Sequence, residues 1–381
     1  MNARARVPIA AALVTLALAA SACTAGGEPD GSIPPSATTG TLTASSSGAA
    51  GWWRPKGEPT TLASGLAAPW SVVPLEGGGA LISLRGDGTV LELTAAGQLR
   101  TAGVVPGVVS GGESGLHGLA VWADGDQRWL YAYHGASTDN RVERMPLLGE
   151  PGALSLGDPE LILSGIARAG NHDGGRLAFG PDGYLYVTTG DAGDRAAAQD
   201  EASLNGKILR LTPEGDPAPG NPFGTAVYTL GHRNVQGIAW TSDGTMWASE
   251  FGQDTFDELN RIEPGGNYGW PVHEGVAHDD AYVDPVATWA TDDASPSGIA
   301  AVGETVFLAS LRGERLWIVD TEAPGIARDP VATLVGEQGR LRDAVAAPDG
   351  SLWILTNNTD GRGAPRPGDD VLLRLELARQ G

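Results

Sequence analysis

From Ser71 onward the chain repeats one hydrophobic pattern: a small or apolar stretch meets a Gly/Asp turn and runs into a strand of alternating large residues. The copies are "SVVPLEGGGALISLRGDGTVLEL" from Ser71, "GLAVWADGDQRWLYAYHG" from Gly118, "RLAFGPDGYLYVTTGD" from Arg176, "GIAWTSDGTMWASEFG" from Gly237, "GIAAVGETVFLASLRGERLWIVD" from Gly298 and "AVAAPDGSLWILTNN" from Ala344. Successive copies lie about fifty to sixty residues apart, the length of a four-stranded antiparallel blade with its loops. Six copies predict an all-β, six-bladed β-propeller of four-stranded antiparallel blades over residues 52–381. Long amphipathic helical patterns are nearly absent, which disfavours a doubly wound α/β fold, and the 56 glycines and 26 prolines supply the turns that many short strands require. A sandwich also uses short strands but does not explain a turn-strand unit repeated across the whole domain. In a propeller the loops at one end of the channel converge, so residues far apart in sequence share one site.

The first fifty residues follow other rules. Arg4 and Arg6, an apolar run from Val7 to Ala20 and the small residues up to Ala22 predict an export signal over residues 1–22 that is too short to span a membrane. Small residues directly before Cys23 resemble the bacterial lipobox, in which the new N-terminal cysteine carries lipid. Cys23 is the sole cysteine, so no intrachain disulfide can form in an exported chain. Residues 23–51 are rich in Ser, Thr, Ala, Gly and Pro, bury too little to offset their chain entropy, and read as a flexible tether. The formal charge is −21, and it grows more negative by two when Arg4 and Arg6 leave with the signal. Nucleic acid is therefore excluded as a partner, and any anionic ligand requires a local nest of arginines.

Several polar residues occupy comparable places around the repeats. His172, in "NHDGG" ahead of the third unit, has the chemistry of a general base tuned by a carboxylate such as Asp173; its plainer role is a hydrogen-bonded anchor. Arg233, in "GHRNVQG", has the chemistry to stabilise negative charge developing on oxygen, or simply to pin its loop. Arg312 follows a strand of the fifth unit, and "GRLRD" sets Arg340 and Arg342 two apart, on one side of an extended segment. Together they form an anion site unless each pairs with a surface carboxylate. "EFGQDTFDELN" combines carboxylates with glycine-freed carbonyls, as calcium prefers, although it lacks EF-hand spacing and also reads as a solvated acidic loop. His117, His134, His273 and His278 have no partners at zinc-ligand spacing.

An ordered series of motifs from about Ala67 to Arg374 resembles the soluble pyrroloquinoline quinone (PQQ)-dependent aldose sugar dehydrogenases of the glucose/sorbosone dehydrogenase group. It comprises "ESGLHGLA", "NHDGGRLAFGPDGYLYVTTGD", "NGKILRL", "YTLGHRNVQGIAW", "SEFGQDTFDELNRIEPGGNYGWP", "SPSG" and "GRLRD". That resemblance implies a six-bladed propeller with His172 as catalytic base and Arg233 as electrophilic partner. It implies that Asn234 and Gln236 belong to the cofactor loop, that Arg312, Arg340 and Arg342 hold the carboxylates of PQQ, and that Gly252 and Gln253 offer carbonyls to calcium beneath the quinone. It implies a separate structural calcium site at Glu258 and Tyr268, with Asp257 beside it. Glu113 stands at a cofactor-binding position where the better-known members have glutamine, and Asn171 where some have aspartate. Residues 291–294 do not reproduce the aromatic substrate loop of glucose-specific relatives, so the expected substrate is an aldose in a broad sense. The implied reaction is oxidation at the anomeric carbon to a lactone, with hydride passing to the quinone and electrons leaving to an external acceptor.

Two other readings keep the propeller. A calcium-dependent lactone hydrolase has no use for Arg312, Arg340 and Arg342, and a non-catalytic surface-anchored binding propeller has none for His172 and Arg233 together. The lipobox carries its own prediction, since two or more acyl chains give stable anchoring where one gives marginal binding. Cys23→Ser is expected to release the protein from membranes or block its maturation. Wild-type protein with an unmodified N-terminus, or a variant equally membrane-bound in fractionation, would rule lipidation out.

Overall fold

The computed structural model describes residues 51–321 and 329–380, so the export signal, Cys23 and the tether up to residue 50 lie outside the described residues. Six antiparallel sheets succeed one another along the chain, and the predicted six-bladed propeller is the observed fold. The innermost strands are Pro69–Pro74, Leu116–Asp124, Leu177–Phe179, Val235–Trp240, Pro296–Val302 and Leu341–Ala346. Each repeated unit read from the sequence contains all or part of an innermost strand, its turn and the second strand of one blade, and the units from Ser71 and Gly298 run on through the third strand.

The second strands explain why the pattern was legible. Ala80–Leu84, Met246–Glu250, Thr305–Ser310 and Leu352–Thr356 are buried along their whole length. Successive side chains point to opposite faces of a sheet, and in a propeller both faces are covered by neighbouring blades. Ala80 and Ile82 accordingly pack against the last blade, with Leu355 and Leu372, whereas Leu81 packs against the second, with Leu116 and Leu130. Six such apolar clusters lie between successive blades and close the ring.

The glycines that open three of the repeats have a steric cause. A β-carbon on Gly118 would lie 2.3 Å from the Gly175 carbonyl, one on Gly237 2.3 Å from that of Ser297, and one on Gly298 1.8 Å from Asp343 Oδ1. Each of these contacts is with the next blade, so any side chain there would push two innermost strands apart. Ring closure uses the other end of the domain. The last blade takes Leu341–Ala346, Leu352–Thr356 and Leu372–Gln380 from the C-terminal part and Trp52–Ala63 as its outermost strand, paired from Trp52↔Gln380 to Ala63↔Leu372.

A buried ion pair crosses the channel. Arg176 donates from Nη1 to Asp343 Oδ2 (2.8 Å) and to Ser71 Oγ (3.3 Å), and from Nε to the Gln236 carbonyl (2.9 Å). These four residues belong to the third, sixth, first and fourth blades. Asp343 Oδ2 also accepts from Val72 N (3.1 Å), and the Trp70 ring lies 4.4 Å from the Arg176 guanidinium. Removing one partner of a buried pair leaves an uncompensated charge, at a cost of about 3–5 kcal/mol. Arg176→Met is expected to lose about that much stability in denaturant unfolding, and adding Asp343→Leu to recover part of it. An unchanged unfolding midpoint for the single variant would contradict the assigned role.

Candidate active site

His172 sits on the loop entering the third blade with φ +58°, a left-handed conformation rare for a residue with a side chain. Its position is fixed on every side. The backbone N–H donates to Glu113 Oε2 (2.8 Å), Nδ1–H donates to Asp191 Oδ1 (2.7 Å), and the Asn171 amide approaches Nε2 at 3.2 Å. Asp191 is itself locked, accepting from Gly193 N on Oδ1 (2.8 Å) and from Trp270 Nε1 on Oδ2 (2.9 Å). Burial raises its pKa, but the hydrogen bonds from His172, Gly193 and Trp270 outweigh that and hold the carboxyl below its usual range. The geometry therefore selects the tautomer protonated on Nδ1 and leaves the Nε2 lone pair to accept a proton. Gly190, just before Asp191, admits the loop: a β-carbon there would lie 1.9 Å from the His172 carbonyl.

The carboxylate that orients His172 is thus Asp191 and not its sequence neighbour Asp173, as expected above. Asp173 points to Asn140 Nδ2 (2.8 Å), and burial raises its pKa. Glu113 holds the His172 loop with one oxygen and pairs with Arg362 Nη1 (2.9 Å) through the other. Burial pushes its pKa up, yet the bonds from His172 and Arg362 bring it below the usual value, which makes it a poor proton acceptor.

Next to this loop lies a cavity of about 300 Å³, within the usual range for a small-molecule site. It collects Glu113, Gln236, Arg312, Arg340 and Arg342 from the expected set. Arg342 is buried, donating from Nη1 to Gln236 Oε1 (2.9 Å), and burial lowers its pKa to about 9. Arg340 donates from Nη2 to Asp360 Oδ2 (3.2 Å), and the Nε groups of both arginines are buried without a partner among the described residues. Arg312 stands at the exposed rim, paired with Asp292. Arg85 and Arg362 also line the cavity, as do Trp70 and His117. The His117 ring is stacked between Trp70 and Tyr133, and burial lowers its pKa to about 3, so it is neutral. Five guanidinium groups around one cavity stand out in a chain with 46 acidic and 25 basic residues.

Arg233 and Asn234 occupy the far side of the His172 loop. Asn234 Oδ1 accepts from Gly174 N (3.0 Å), and the Arg233 carbonyl accepts from Asp191 N (2.8 Å). The Arg233 guanidinium lies over Trp270, donates from Nη1 to the Phe251 carbonyl (3.3 Å), keeps a buried Nε unpartnered among the described residues, and has its pKa lowered by burial. It lines a void of about 10 Å³ with Glu250, Gly252, Glu258, Tyr268 and Glu274; Phe251 borders both spaces. Burial and then Glu250 push the Glu258 carboxyl well up, a conflict that a hard cation would relieve. Tyr268 contributes no free hydroxyl, because its OH donates to the Arg261 carbonyl and accepts from Glu263 N. Asp257 accepts from the N–H groups of Gly252 (2.9 Å) and Ser295 (2.6 Å), and burial raises its pKa to about 6. Glu274 Oε1 gathers the N–H groups of residues 253–256, which leaves the carbonyls of Gly252 and Gln253 without a hydrogen bond among the described residues. No three His, Cys, Asp or Glu side chains form a metal cage among the described residues, so a cation here draws largely on main-chain oxygens.

Sequence reading missed Asp191, Arg85, Arg362 and Asp360. For Arg85 a signal was present: "SLRG" at residues 83–86 recurs as "SLRG" at residues 310–313, so Arg85 holds in the first blade the place of Arg312 in the fifth.

Comparison with known proteins agrees with this geometry. The PQQ-bound aldose sugar dehydrogenase of Streptomyces coelicolor superposes with a TM-score of 0.82 at 48% identity, covering 87% of this chain and 99% of that one. The apo form of the soluble aldose sugar dehydrogenase of Escherichia coli gives 0.72 at 25% identity, covering 84% and 99%. Aldose sugar dehydrogenase YliI of Escherichia coli is 28% identical over 335 residues, 78% of this chain and 89% of that protein. Because the Glucose / Sorbosone dehydrogenase family model matches residues 66–374, nearly the whole propeller, the chain belongs to that family.

Proposed function

We propose that this protein is a PQQ-dependent dehydrogenase that oxidises aldoses at the anomeric carbon to lactones, with His172 as general base and an external electron acceptor. The observation that carries this reading is the Asp191–His172 hydrogen bond, which leaves Nε2 as the proton acceptor on a loop held by Glu113, itself part of the wall of a cavity ringed by guanidinium groups. When bound, PQQ supplies an electrophilic carbonyl that accepts hydride, together with three carboxylates that need cations around them.

The residues present fit such a group. Arg340 and Arg342 offer buried, unpartnered Nε–H donors, and Arg312 closes the exposed rim. The carbonyls of Gly252 and Gln253 would hold a calcium ion, and Glu258, with Glu250 and Tyr268 around the small void, a second ion. His172 Nε2 takes the proton of the anomeric hydroxyl, and Asp191 stabilises the imidazolium that results. Arg233, poorly solvated and positively charged, stabilises negative charge that develops on oxygen. Export with a lipid on Cys23 would place the enzyme on the outer side of a membrane, where its substrates and acceptor diffuse.

A general base is worth about a hundred- to ten-thousand-fold in rate, so His172→Ala is expected to lose that factor in turnover per bound PQQ while still binding the cofactor. Asp191→Asn is expected to lower turnover as well, by weakening the hold on the Nδ1–H tautomer, with little effect on the substrate KM. Turnover per bound PQQ is read from stoichiometric titration and initial rates on one reconstituted sample. A His172→Ala enzyme as fast as the wild type would remove His172 from the mechanism.

A further inference from the structure

Arg85 has a fixed backbone and an undersupplied side chain. Its N–H donates to the Ala68 carbonyl (3.1 Å) and its carbonyl accepts from Leu116 N (3.0 Å). A guanidinium carries five N–H donors. Among the described residues that of Arg85 makes one long hydrogen bond, from Nη2 to the Asp360 carbonyl at 3.4 Å, and its side chain lines the cavity. Burial lowers its pKa; the Asp360 and Glu113 carboxylates offset part of this, while Arg362 and Arg340 add to it. The guanidinium thus has carboxylates in its vicinity but no strong hydrogen-bond partner among the described residues. Its place in the repeat is that of Arg312, two blades away around the ring.

Arg362 presents the complementary case. Its backbone N–H is held by Asp360 Oδ1 (2.9 Å), but the guanidinium is half exposed and reaches across to Glu113 Oε1 (2.9 Å). Such an exposed pair is weak and easily exchanged. Glu113 is tied on its other oxygen to the His172 N–H, so the mobile member of the pair is Arg362.

We propose that Arg85 and Arg362 are two further carboxylate-binding groups of this cavity. In this arrangement Glu113 is an internal anion that occupies Arg362 until a ligand carboxylate takes its place. The inference rests on the PQQ reading for the identity of the ligand. It makes predictions of opposite sign for neighbouring residues, because Arg85 attracts a polyanion whereas Glu113 repels it and competes for Arg362.

The test is a PQQ titration of full-length, calcium-loaded protein followed by tryptophan fluorescence. It compares the wild type with Arg85→Ala, Arg85→Lys, Glu113→Gln and the double variant Glu113→Gln/Arg362→Ala, each checked for an unchanged melting temperature. Arg85→Ala is expected to weaken binding about ten- to a hundredfold, with Arg85→Lys in between, since lysine keeps the charge but not the fork of donors. Glu113→Gln retains an acceptor for the His172 N–H and is expected to tighten binding by about three- to tenfold; Arg362→Ala in that background should cancel the gain. Arg85→Ala binding within twofold of the wild type, or Glu113→Gln binding more weakly than it, would overturn the inference. A wild-type protein that does not bind PQQ would instead overturn the functional reading on which it rests.

Discussion

The Arg176–Asp343 pair is the constraint on which the rest of the molecule depends. A ring of six blades leaves polar backbone and side chains facing a channel, and something must fill its centre without stranding a charge. Here one guanidinium and one carboxylate meet across it, braced by Ser71, Gln236 and Val72 from two further blades. The pair ties together inner strands, among them those that carry Gln236 and Arg342. Gly298 is the cost in sequence terms, because no side chain fits beside Asp343 Oδ1.

The site itself is built by opposing demands. Arginines that would repel one another are held by backbone contacts and by Asp360, whose pKa burial raises but whose neighbours Arg340, Arg362 and Arg342 bring down. His172 is held in a strained left-handed conformation by hydrogen bonds to Glu113 and Asp191, from two separate parts of the chain. Strain of this kind, about 1–3 kcal/mol, persists only where surrounding structure over-determines it. The hydrogen-bonded Asp191 and the packed Gly190 do so here. A base fixed in this way would need no reorganisation when a substrate hydroxyl arrives, which supports the catalytic role proposed for it.

What could be read from the sequence follows from how local each feature is. The inner strands were legible because burial on both faces makes most second strands apolar along nearly their whole length, and the turns that join them to the innermost strands carry Gly and Asp. Arg340 and Arg342 were legible because alternation alone puts them on one side of a strand. Asp191 lies in the same sequence stretch as His172, but the adjacent Asp173 was the expected partner; the fold instead brings the imidazole to Asp191, just beyond the end of that blade's second strand. Arg362 and Asp360 lie in an irregular loop with no periodicity to place them. Tyr268 lines the small void as its position in the motif implied, while its hydroxyl is bonded to Arg261 and Glu263 and faces other partners. The segment before residue 51 keeps its sequence-based expectations and lies outside the described residues.

The most direct test of the account is spectroscopic. Metal-free protein is reconstituted with PQQ and calcium, the absorption of the oxidised quinone is recorded without oxygen or added acceptor, and an aldose is then introduced. The account predicts stoichiometric uptake of PQQ followed by loss of the oxidised-quinone absorption, one equivalent per site, with lactone formed in the same amount. Bound PQQ that stays oxidised in the presence of every aldose tried would contradict it.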